Sequence, residues 1–131
     1  MIATYSRYPR TVLVIIGILY ILLGAFCSMD PEKLGRTMGY EFFENGMIEF
    51  VVIYGGLEIG FGLAMLIAAM KKELFSGVYF MTLLVSLALP IARVLMLLPR
   101  EMEGKMGSFL LIELAIVAAL IWPLLRKRRT D

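Results

Sequence analysis

The chain has no histidine and a single cysteine, Cys27. Zinc and iron–sulfur centres draw on several such ligands, and a disulfide within the chain needs two cysteines. No metal site and no cofactor is therefore expected. Charge is scarce as well: Lys, Arg, Asp and Glu make up 18% of the 131 residues, too few to cover the surface of a soluble domain of this size. Thirteen basic and eleven acidic residues leave a net charge of +2. The basic residues form no stripe that phosphates could follow, so no nucleic-acid partner is expected.

What is present is apolar length. Hydrophobic residues make up 60% of the chain, gathered into runs long enough to cross a hydrocarbon core of ~30 Å at ~1.5 Å per residue. The expected fold is all-α, a polytopic membrane protein forming a four-transmembrane-helix bundle from one domain, residues 1–131. The spans fall at about 11–28, 47–69, 74–98 and 108–125, with an extracytoplasmic loop at 29–46. Arg7 and Arg10 before an apolar run that ends near Cys27 imitate a signal peptide. Phe26 is too bulky for the site before a cleavage point, so this run reads as an uncleaved first span with Cys27 a small buried apolar residue.

Several residues punctuate the chain. Gly17 and Gly24 lie seven apart on one helical face and admit close packing. Tyr20 is either a packing aromatic or an inward hydroxyl. Asp30-Pro31 suits a helix cap and first turn, and Leu34, Met38, Tyr40, Phe42 and Phe43 suit a short interfacial helix or a lid on the bundle mouth. Asn45-Gly46 marks a break, and Lys71-Lys72-Glu73 a tight turn. Pro90 interrupts the hydrogen bonding of span three and frees a carbonyl. Pro99 ends that span, and Trp122 is an interfacial anchor.

The basic residues predict orientation. The N-terminal segment, the Lys71-Lys72 turn and the tail from Arg126 hold eight Lys or Arg, and the loops at 29–46 and 99–107 hold four, with six acidic residues beside them. Positive-inside logic puts both termini and the 71–73 turn in the cytoplasm. The expected location is a bacterial cytoplasmic (inner) membrane.

Three charges stand inside the spans: Glu58, Arg93 and Glu113. Counted from the outer ends, Arg93 lies about 8 Å deep, Glu113 about 8 to 9 Å and Glu58 about 16 Å. An Arg side chain spanning about 6 Å can meet Glu113 at its own level and reach toward Glu58, and pairing makes such charges tolerable in a low dielectric. Tyr54, one turn outward from Glu58, can donate to the same cluster. The expected ligand-binding residues are thus Tyr54, Glu58, Arg93 and Glu113. Secondary candidates are Tyr20, Glu49 (at the mouth or in an early helical turn), Gly55 and Gly56. Gly56 and Gly60 form a small-xxx-small pair, while Gly55 and Gly62 flank the Tyr54–Glu58 side; either set serves helix packing or leaves room for a ligand.

This pattern leaves three functions open. The first is a small membrane protein that binds a lipid-like or anionic amphiphile, Arg93 holding the headgroup and Leu57, Phe61 or Met96 the apolar part, with proton-coupled transport as an extension. The second is a structural or accessory membrane subunit whose ion network only locks the helices. The third is a membrane enzyme with Glu58 as its acid–base group. Partners in view are a membrane lipid or small amphiphile, a second copy of the chain, or another membrane protein.

At Glu49, Tyr54-Gly55-Gly56-Leu57-Glu58-Ile59-Gly60, Arg93 and Glu113, the chain resembles an uncharacterised bacterial family of small four-helix integral membrane proteins, itself similar to the broader DoxX-like group. The resemblance runs from the first span to the basic tail. It implies a compact four-helix bundle with a Tyr-Gly-Gly motif and an acidic residue in helix two, an Arg late in helix three, and a Glu early in helix four.

Overall fold

A computed structural model describes residues 6–39, 41–43, 45–97 and 104–127. The N-terminal five residues, Tyr40 and Glu44, the Pro99 stop with residues 98–103, the tail beyond Lys127 and the side chain of Met96 lie outside the described residues. The described chain is helical, with no strand. In order, α1 is Arg7–Met29, α2 is Pro31–Met38 and α3 is Gly46–Phe50. A π-helical segment, Val51–Leu57, then leads into α4, Glu58–Met70, followed by α5, Lys72–Leu97, and α6, Gly104–Lys127. Four helical stretches are long and apolar enough to cross a membrane: α1, the composite Gly46–Met70, α5 and α6. The four-span, all-α architecture is as the hydropathy pattern predicts.

Glycine sets the closest contact, between α1 and the second span. A Cβ added at Gly62 would stand 2.5 Å from the Gly17 carbonyl oxygen, and one at Gly24 would stand 2.6 Å from that of Gly55. Both pairs are seven residues apart on their own helices, so they form two rungs along one antiparallel seam. Gly56 and Gly60 behave differently. Nothing lies within 4 Å of a Cβ at either, so this pair faces out of the bundle and takes no part in internal packing.

The second span is not one continuous α-helix. The consecutive β-branched residues Val51, Val52 and Ile53 crowd a regular α-turn, and Gly55-Gly56 has little side-chain packing to lose on widening. The π-helical turn ends directly at Glu58, whose N–H bonds back to the Gly55 carbonyl.

The main core joins Val12, Leu13 and Ile16 of α1 to Met65 and Ala68 of α4, Phe75, Tyr79 and Leu83 of α5, and Leu120 of α6. The buried Tyr79 hydroxyl donates to the Leu120 carbonyl at 2.8 Å and ties α5 to α6. A smaller cluster closes the end of the bundle beside α2, called the outer end on the expected orientation: Cys27, Leu34 and Phe50, with Met38, Phe42 and Tyr54 against them. Here Asp30 caps α2 by accepting from the Lys33 N–H at 3.2 Å, Pro31 fills its first turn, and Gly39 ends it at φ 85°. The loop thus forms the expected short helix, with Leu34 buried and Phe43 exposed.

Candidate functional site

Pro90 lies inside α5, and Arg93 follows one turn later toward its C-terminal end. Arg93 Nε donates to both Glu113 oxygens, at 3.1 and 3.0 Å, and Nη2 donates to Oε1. The Phe109 ring lies 5.6 Å from the guanidinium carbon, giving a cation–π contact on the same α6 helix. The pair joins α5 to α6.

Glu58 does not join it. Among the described residues no ion pair links Glu58 to Arg93, and Glu58 Oε2 is buried without a hydrogen-bond partner. The expected Glu58–Arg93–Glu113 cluster is therefore a pair with a separate carboxyl. Nor are the three charges fully buried: the Arg93 and Glu113 side chains are 26% and 12% exposed, and Glu58 is half-buried. Two guanidinium nitrogens are directed at Glu113, which commits Arg93 to a partner other than Glu58.

Tyr54 packs through its ring. Its ring stacks on Phe50 with centroids 4.9 Å apart, in the outer aromatic cluster beside Cys27 and Leu34. Glu49 is exposed in the first turn of α3. Gly55 is buried against α1, where a Cβ would meet Ser28 Oγ, while Gly56 is open. Gly55 therefore packs helices, and Gly56 leaves its room on the outer face rather than beside Glu58.

A cavity of about 190 Å³ lies between α4 and α5. Phe61, Ala64 and Met65 form one wall, Val78, Met81, Thr82 and Val85 the other, and Tyr20 of α1 reaches it. Ala64 and Met81 are both exposed, so the cavity opens sideways at the face that lipid would cover. Of the apolar residues expected to hold a ligand, Phe61 lines this space, whereas Leu57 is 54% exposed and turned outward.

Helical spacing puts Glu58 on the face of Phe61 and Met65, one turn outward. Tyr20 lies within electrostatic reach of both Glu58 and Glu113. On α5, Ser86 stands one turn outward from Thr82 and is only 3% exposed, and its Oγ also lacks a partner. Pro90 has no N–H to return to the Ser86 carbonyl, so the regular helical bond is missing there too. Thr82 spends its hydroxyl hydrogen on the Val78 carbonyl at 2.8 Å and keeps accepting capacity. Sequence reasoning missed Ser86, although a hydroxyl four residues before a membrane proline is a readable signal.

Neither a protein-family model nor a curated protein or solved structure matches the chain at a significant level.

Proposed function

We propose that this chain is a small protein of the bacterial cytoplasmic membrane, with both termini cytoplasmic, that binds a lipid-like amphiphile between α4 and α5. The observation that carries the reading is the apolar cavity of about 190 Å³, with Glu58, whose Oε2 is buried without a partner, one helical turn from its Phe61 wall. An apolar cavity of ~150 Å³ holds a benzene-sized ligand, so this one holds a short length of aliphatic chain. The remaining tail leaves past Ala64 and Met81 into the bilayer. The headgroup belongs at the level of Glu58 rather than Arg93, because an anion at Arg93 must displace a carboxylate already bonded through two nitrogens. The excess of basic residues at the termini and the 71–73 turn supports the orientation.

Lipid extraction and native mass spectrometry test the reading. An amphiphile should co-purify with the wild type and with Arg93→Gln, and be lost from Ala64→Phe, whose ring blocks the opening. Identical lipid profiles in folded wild type and folded Ala64→Phe would overturn it.

A further inference from the structure

By helical spacing Glu58 stands one turn beyond the Phe61 wall of the cavity and Ser86 one turn beyond Thr82, and an ionised carboxylate only accepts. Glu58 Oε2 and Ser86 Oγ are buried and without partners. The Ser86 carbonyl lacks the N–H that Pro90 cannot supply, and Thr82 Oγ1 has its hydrogen committed to Val78. The guanidinium one would look to as a donor is engaged by Glu113. Burying a carboxylate oxygen without a counter-charge is costly.

Helical spacing extends the two walls of the cavity to Glu58 and Ser86. Phe61 and Thr82 line the same cavity from opposite helices. Glu58 precedes Phe61 by three residues and Ser86 follows Thr82 by four. Because α4 and α5 run antiparallel through the tight turn at Lys71, both steps lead outward, to the same end of the cavity.

We infer that the site takes a lipophilic cation, an alkylammonium group at the outer end with its chain in the cavity, and that Glu58 supplies the counter-charge while Ser86 accepts from the ammonium. This rests on the amphiphile-binding reading and narrows it to one headgroup class. An ammonium carries three donors and a full charge that complements the Glu58 carboxylate, which would repel an anion and give a neutral hydroxyl only an uncharged partner's hydrogen bond. The cavity opening at Ala64 and Met81 lets the chain enter from the bilayer, so the cation need not cross a polar surface alone.

The test is titration calorimetry with octylammonium, octanol and octanoate at neutral pH, the protein held in zwitterionic-lipid nanodiscs. In the wild type, octylammonium should bind at least about tenfold tighter than octanol, the difference expected of one charge-assisted contact, and octanoate should bind weakest. The octylammonium preference should vanish in Glu58→Gln and shrink severalfold in Ser86→Ala, both close in size to the native residues. A preference unchanged in Glu58→Gln, or octanol or octanoate binding as tightly as octylammonium, overturns the cation assignment. If octanol binding then still requires Ala64, the amphiphile site survives without it. If no octyl compound distinguishes wild type from Ala64→Phe, both readings fall.

Discussion

Replacing Gly62 by alanine tests the seam that holds α1 against the second span. The added Cβ meets the Gly17 carbonyl oxygen at 2.5 Å, Ile21 Cγ1 at 2.6 Å and the Ile21 backbone nitrogen at 3.0 Å. Two of these three atoms are backbone, so relief requires the helices to separate by roughly an ångström, loosening dispersion contacts along the interface. Overpacking of this kind costs about 1–3 kcal/mol, partly offset by a helix-propensity gain of up to ~1 kcal/mol for Gly to Ala. Gly60→Ala gains the same propensity with nothing in its way. The two variants should therefore differ by about 1–3 kcal/mol, with Gly60→Ala neutral or stabilised and Gly62→Ala destabilised. Equilibrium unfolding in mixed micelles of rising SDS content, followed by circular dichroism, measures the difference. Equal stabilities within about 0.5 kcal/mol would refute the claim that α1 and α4 meet backbone to backbone at this rung.

Arg93→Met should cost about 2–3 kcal/mol in the same assay, below the usual toll of a fully buried pair because this one is part-exposed. Much of the loss should return in the Arg93→Met/Glu113→Leu double variant, and independent, additive losses would deny the pair. Glu58→Gln should change stability by less than about 1 kcal/mol, since no ion pair is lost; a loss as large as that of Arg93→Met would restore the three-membered network. Tyr79→Phe removes the bond to Leu120 and should cost about 1 kcal/mol, and a neutral result would mean the carbonyl needs no second donor. In whole cells a cysteine at Thr37 should react with a membrane-impermeant maleimide and one at Lys72 should not; the reverse pattern would invert the topology.

The spans were legible because apolar length is a one-dimensional property, and so was the Gly17–Gly24 face, because a spacing of seven survives any modest change in helix winding. Arg93 and Glu113 could be paired because they sit at matching depth on adjacent spans. Glu58 could not be placed by the same count: whether Arg93 reaches down depends on how fully Glu113 occupies it, a competition that spacing does not encode. Glycine roles divided for a similar reason. Gly55 and Gly56 are chemically identical neighbours, yet one meets Ser28 and the other open space, a matter of helix rotation. The π-helical turn that fixes this rotation follows from the balance between local crowding at Val51–Ile53 and contacts on α1. The cavity depends on how Tyr20, Phe61 and Thr82 fill a three-helix junction, which no linear pattern records.

Mapping where an alkyl chain resides tests the central claim most directly. An octylammonium analogue carrying a diazirine near the chain end can be photolysed in nanodiscs containing the protein, and the labelled peptides identified by mass spectrometry. Adducts should concentrate on Phe61–Met65 and on residues 78–85 and be competed by unlabelled octylammonium. Uncompeted labelling spread over outward side chains such as Leu22, Leu95 and Leu111, which are 60%, 60% and 70% exposed, would contradict it.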